Sequence, residues 1–131
     1  MISVLDASAG IAIVLEQDLS DVFRAEIGKS EKTVASDLYK IEVANAIWKY
    51  VRAGELEKEK INKTLAIAIG LVDEYIDISQ NNEESLNEAV RQNHSAYDML
   101  YYTLARRSGG KLLTKDKKLR ELCLRTGVDV L

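Results

Sequence analysis

Four acidic residues of the 131-residue chain, Asp6, Glu42, Asp98 and Asp116, stand in settings where a carboxylate needs a reason. Asp6 directly follows the apolar run Ile2-Ser-Val-Leu5, so a strand there leaves it at the strand's carboxyl end. An acid in such a place is costly to bury unless it is paired or bound to a cation. Asp116 follows Leu112-Leu-Thr-Lys in the same way, and Thr114 ends that run with a hydroxyl that can support a metal-bound water. Asp98 lies among the aromatic and aliphatic residues of Ser95–Ala105. Each acid also has a plainer reading. Asp6 and Asp116 precede helical stretches, where aspartate is a good N-cap. Ser95 with an acid three residues later resembles a capping box. Glu42 falls on a helical stripe with Leu38, Asn45 and Lys49, outside the apolar arc of Val43, Ala44, Ile47, Tyr50 and Val51. That stripe suits solvent, although Asn45, one turn on, is placed to orient the carboxylate.

The elements around these residues decide between the readings. Strands are expected at 2–5, 33–35, 75–78, 111–114 and 128–131. Helices are expected near 8–16, 19–27 (stopped by Gly28), 38–53 (ended by Gly54), 55–73, 83–93, 96–108 (stopped by Gly109-Gly110) and 117–126. Strands separated by helices imply right-handed crossovers and a mostly parallel sheet covered on both faces. Ligands of such sheets sit beyond the carboxyl ends of the strands, which sends Asp6 and Asp116 to one edge. Crowded carboxylates raise each other's pKa unless a cation sits among them. Hard ions such as Mg²⁺ take oxygen ligands, usually one or two carboxylates plus waters.

Composition bounds the rest. The length suits one domain, with 47% hydrophobic and 30% charged residues. The longest apolar run, Leu65 to Val72, is far short of the roughly 20 residues of a spanning helix, and the start lacks the basic region of a secretory signal. The single cysteine, Cys123, cannot form an internal disulfide and shares a helical face with Leu119 and Leu122, so it reads as core. Together these fit a reducing cytoplasm. The net charge of −3 is uneven: residues 106–131 carry eight basic and three acidic side chains, leaving −8 on the remainder. The positive C-terminal third suits either a phosphate backbone or a solvated helix face. The only histidine, His94, reads as a surface or capping residue. No Cys/His spacing suits zinc, and there is no Walker or GxGxxG loop.

Four segments then fall into register with a known pattern: Val-Leu-Asp-Ala-Ser-Ala at 4–9, Tyr-Lys-Ile-Glu-Val-Ala-Asn-Ala at 39–46, Ala-Tyr-Asp-Met-Leu-Tyr-Tyr-Thr-Leu-Ala at 96–105 and Leu-Leu-Thr-Lys-Asp at 112–116. In order and spacing they resemble the PIN domain, specifically VapC-type toxins of type II toxin–antitoxin systems, over essentially the whole chain. The resemblance implies a three-layer α/β fold, a single domain over 1–131, and an RNA substrate. It implies Mg²⁺ or Mn²⁺ as cofactor, with Asp6, Glu42, Asp98 and Asp116 as metal-binding and catalytic residues and Thr114 in support. It further implies a cognate antitoxin, a homodimer, no membrane association, and products ending in 5′-phosphate and 3′-hydroxyl. Asp37 departs from the pattern, since relatives often carry proline before the glutamate helix. A bound cation would lower the pKa of a coordinated water, with Glu42 or Asp116 as base. The helices at 38–53 and 55–73, with Trp48 and Tyr50, offer apolar surface for a second copy or an antitoxin segment. Two other readings use the same strand-end acids. A phosphoacceptor signalling domain would need an adjacent acidic pair after the first strand, where this chain has Ala7-Ser8. A catalytically silent binding module would keep the acids only as caps.

Overall fold

Apolar residues at consecutive positions of the strands, rather than alternating ones, determine the architecture. In the computed structural model, which describes all 131 residues, β1 (Ile2–Leu5) buries both Val4 and Leu5 completely. Neighbouring residues of a strand point to opposite faces, so both faces of the sheet are covered. The sheet continues through β2 (Lys32–Ser36), β3 (Glu74–Ile76) and β4 (Lys111–Leu113) in the order β3-β2-β1-β4, with every pairing parallel. Seven α-helices flank it in a three-layer α/β arrangement. They are α1 (Ala7–Val14), α2 (Ser20–Lys29), α3 (Tyr39–Arg52), α4 (Ile61–Gly70), α5 (Asn82–Gln92), α6 (Ala96–Ser108) and α7 (Lys117–Thr126). Helices α5 and α6 pack on each other, and α6 lies across β1, β2 and β4. Helix α1 is surrounded by α2, α3 and α4. No helix is long and apolar enough to cross a membrane.

Several boundaries differ from the sequence reading for local reasons. The expected strand at 128–131 reduces to one bridge, Leu112 with Val130, held by Leu112 N to Asp129 O and Leu131 N to Leu112 O. The expected helix at 55–73 becomes a 3₁₀ turn at Lys58–Lys60 and α4, because the charged start of that span offers no apolar face. The strand expected to Ile78 stops at Ile76, where the Asp77 side chain accepts from Ser79 N and turns the chain into a 3₁₀ turn at Ile78–Gln80. Gly28 does not stop α2, which runs one residue further. Gly54 and Gly109 take the left-handed backbone expected of them, and the latter reverses α6 into β4.

The order of the strands creates the functional edge. β1 adjoins β2 on one side and β4 on the other, so successive crossovers leave β1 in opposite directions. The crevice beyond the carboxyl ends of β1 and β4 is therefore the topological switch point. Asp6 N donates to Leu113 O there, holding the two strand ends together.

Packing behind that edge is tight around Gly10 of α1. A Cβ at this position would lie 2.9 Å from ring carbons of Tyr39. Tyr39 is completely buried and its hydroxyl donates to Ala68 O at 2.7 Å, so the ring cannot retreat cheaply. Gly10→Ala gains up to about 1 kcal/mol of helix propensity but overpacks the core at roughly 1–3 kcal/mol. The expected net result is a lower urea midpoint with an unchanged slope. A midpoint equal to or above wild type would show that Tyr39 yields freely.

Candidate active site

Asp6 is the centre of the crevice. It has an extended backbone and caps α1, its Oδ1 accepting from Ala9 N at 2.9 Å, as an N-cap aspartate does. The same oxygen accepts from Ser8 Oγ at 2.6 Å, and Oδ2 accepts from Thr114 Oγ1. Thr114, the last apolar-run residue of β4's extension, thus orients Asp6 directly. Burial pushes the Asp6 carboxyl up to about 6, the three donors pull it down, and the Asp98 charge raises it further.

Three acids in the structure are buried: Asp6, Glu26 and Glu88. Glu26 has Lys111 at 2.7 Å and Glu88 has Arg91 and Arg106 at 2.6 and 2.8 Å. Those cations hold both glutamates below the usual carboxylate range despite burial. Asp6 has only neutral donors. A carboxylate taken out of water without a counter-charge is the costly case, and it is the one at the switch point.

The other three acids approach from separate elements. Glu42 sits in the first turn of α3, which begins just past the carboxyl end of β2. It is half-buried, and Tyr101 of α6 donates its hydroxyl to Oε1 at 2.7 Å. Burial raises the Glu42 carboxyl, the Tyr101 hydrogen bond opposes this, and Asp6 and Asp98 add to the rise. Burial and the facing Glu42 drive the Tyr101 phenol well above its ordinary value, so it stays a donor. Asn45 makes no such bond; it is exposed and lines the adjoining groove. Asp98 is in the first turn of α6, where Ser95 caps the helix by accepting from Asp98 N at 3.2 Å. Burial and then the Asp116 charge raise its carboxyl. Asp116 caps α7 through Leu119 N at 3.0 Å and is exposed. Asp6 and Asp116 are therefore N-caps as read, whereas Asp98 only follows the Ser95 cap; the Asp98 charge is still felt at Asp6, and the Asp116 charge at Asp98. Negative groups at three helix N-termini also meet the positive ends of the helix dipoles.

The four carboxylates are within electrostatic reach, Asp6 with Glu42 and Asp98, and Asp98 with Asp116. No three of the His, Cys, Asp and Glu side chains close to the distance at which they would ligate one ion together. An all-oxygen set with no lysine or arginine partner nonetheless suits a hard divalent ion, which one or two carboxylates plus waters suffice to hold. Residues that spacing alone did not single out complete the site. Tyr101 and Ser8 are bonded to the acids, and His94, whose side chain is 13% exposed, places Nδ1 3.8 Å from Asp98 Oδ2. The sequence reading of His94 as a surface or capping residue is thus revised. Cys123 is fully buried, and burial lifts its thiol to about 11, as a core cysteine requires. From Ser8 and Glu42 a groove of about 620 Å³ runs along α3, with Lys49 and Tyr50 on α3 and Lys115 on the loop after β4.

The electrostatics predict a pH signature. The Asp6 carboxyl titrates near its ordinary 3.8 in the unfolded chain and about 6 in the folded one. Between those values the folded state binds the extra proton, so stability falls as pH rises through the window. Two pKa units correspond to roughly 3 kcal/mol. Glu42 and Asp98 shift in the same direction, while Glu26 and Glu88, held down by their cationic partners, shift the opposite way. Thermal unfolding in chelator should give a higher Tm at pH 5 than at pH 7, and Asp6→Asn, which caps about as well, should flatten the difference. A wild-type Tm that rises from pH 5 to pH 7 would contradict this account of Asp6.

The PIN domain family matches residues 3–124. The chain is 29% identical over 123 residues to Ribonuclease VapC3 of Pyrobaculum aerophilum, covering 90% of this chain and 92% of that protein. Among solved structures, a protein of the same organism superposes with a TM-score of 0.75 at 24% identity, over 99% of this chain and 83% of the other. VapBC2 from Rickettsia felis, bound to a DNA fragment from its promoter, gives a TM-score of 0.69 at 16% identity, over 100% of this chain and 98% of that one. At these identities the two structures speak to the fold.

Proposed function

We infer that this chain, which belongs to the PIN-domain family, is a ribonuclease that hydrolyses RNA phosphodiester bonds with a divalent cation and serves as the toxin of a toxin–antitoxin pair. The observation that carries the reading is Asp6: a buried carboxylate with no cationic partner, at the switch point, within electrostatic reach of Glu42 and Asp98. The likeness to a curated ribonuclease along most of both chains supports the substrate class.

Asp6 and Asp98 would hold Mg²⁺ or Mn²⁺, with Glu42 and Asp116 completing the site through waters. When bound, such an ion acidifies a coordinated water and offsets charge growing on the phosphate. The chain's own groups supply the rest. Ser8, Thr114 and Ala9 N fix the direction of the Asp6 oxygens. Tyr101 occupies Glu42 Oε1, which leaves Oε2 to take a proton from the attacking water. A carboxyl raised by burial is the better proton acceptor of its kind near neutral pH. Lys49 and Lys115, which both line the groove, suit the flanking phosphates.

The proposed protein partners are an antitoxin and a second copy of the chain, with residues 1–131 acting as one domain in the cytoplasm. A smaller apolar groove between α3 and α4, lined by Ala44, Ile47, Trp48, Val51, Ile61 and Leu65, fits such contacts. Trp48 is half-exposed there, whereas Tyr50 is engaged by Gln17 at 2.6 Å and belongs to the other groove.

Cleavage of mixed cellular RNA should appear with Mn²⁺ or Mg²⁺ and stop with EDTA. Asp98→Asn, which keeps the helix start, should lose about 100-fold or more in kcat/KM, the scale of several kcal/mol of transition-state stabilisation. Undiminished cleavage in EDTA, or by Asp98→Asn, would overturn the metal-dependent reading.

A further inference from the structure

We propose that Ser8 is a positioning residue of the site, the counterpart of Thr114, and that the two hydroxyls together lock Asp6 to the loop that carries Asp116. Ser8 Oγ donates to Asp6 Oδ1 at 2.6 Å and accepts from Lys115 N at 2.9 Å. Thr114 Oγ1 donates to Asp6 Oδ2 and accepts from Asp116 N at 3.0 Å. Each carboxylate oxygen therefore has its own hydroxyl, and each hydroxyl takes the amide of one of two successive loop residues. The two oxygens lie 3.4 Å apart.

A hydroxyl has one proton to give and lone pairs to accept. With the amides donating into the hydroxyls, both hydroxyl protons point at Asp6, and the chain from amide to hydroxyl to carboxylate runs one way on each side. Such chains reinforce one another in a low-dielectric setting. Capping α1 does not require Ser8, because Ala9 N already serves the Asp6 cap. What Ser8 adds is a tie between the N-terminus of α1 and the loop at Lys115, residues 107 positions apart. It fixes Asp116 relative to Asp6, and Asp6 in the orientation in which it would hold a cation. Outer partners of metal-holding carboxylates act in this way.

The proposal rests on the proposed function in its Mn²⁺ and kinetic arms, and the amide measurement stands apart from it. The full chain is compared with Ser8→Ala and Ser8→Thr, which retains the hydroxyl. Three quantities are measured: exchange protection of the Lys115 amide by NMR, Mn²⁺ affinity by calorimetry, and kcat and KM on RNA. Ser8→Ala should lose the Lys115 protection, bind Mn²⁺ about 10- to 100-fold more weakly, and lose kcat with little change in KM. Ser8→Thr should recover all three. If Ser8→Ala does not fold, Ser8→Cys, whose thiol is a weak donor, takes its place. Retained Lys115 protection, or unchanged Mn²⁺ affinity and kcat with only a lower Tm, would reduce Ser8 to a fold-stabilising serine and overturn the proposal. A wild type that cuts no RNA would sink the proposed function instead, leaving the amide measurement to decide Ser8.

Discussion

Keeping an unpaired carboxylate out of water is the constraint around which this fold is arranged. Asp6 is as buried as Glu26, yet Glu26 has Lys111 against it and Asp6 has hydroxyls and an amide. Neutral donors reduce the cost of its charge without cancelling it, which is why its carboxyl stays high while that of Glu26 is low. The three donors must come from two places at once. Ala9 and Ser8 follow from the turn into α1, and Thr114 arrives only because β4 pairs with β1 in parallel register. The strand order that puts β4 beside β1 is thus also what satisfies Asp6.

The same arrangement explains how helix caps and a site coincide. A parallel α/β sheet sends each crossover helix back from the carboxyl edge, so helix N-termini collect where strands end. An acid that caps such a helix is already at the edge. Asp6 and Asp116 are there for that reason, and Glu42 and Asp98 join them from the first turns of α3 and α6. Asp98 feels Asp116, and Glu42 feels both Asp6 and Asp98, so the cluster is a consequence of local helix starts brought together by topology.

This division sets what the sequence disclosed. Strands β1 and β4, most of the helices and the strand-end positions of Asp6 and Asp116 are legible, because apolar runs, glycine stops and cap signals are local. The parallel arrangement followed from alternation of element types. The contacts between elements did not. Tyr101 reaches Glu42 across 59 positions and Lys115 reaches Ser8 across 107, and no spacing rule encodes such pairs. Asn45 was the natural partner for Glu42 by helical spacing, but the deciding donor came from another helix. His94 reads as a surface or capping residue because it precedes a helix start, and only the folded chain brings its ring beside Asp98. The segment 128–131 has a strand's composition, yet with only Leu112 to bond it makes a single bridge.

Because Asp116 caps α7, where asparagine caps equally well, and Ser95 rather than Asp98 caps α6, the chain can lose either charge while keeping its shape. One nucleotide change converts an aspartate codon to an asparagine codon, so a folded but silent variant is always one step away. For a protein whose proposed activity burdens its own cell, that proximity makes inactivation the easiest evolutionary exit. Lineages that retain these acids would then be ones in which something other than folding, such as dependence on a paired antidote, keeps selecting them.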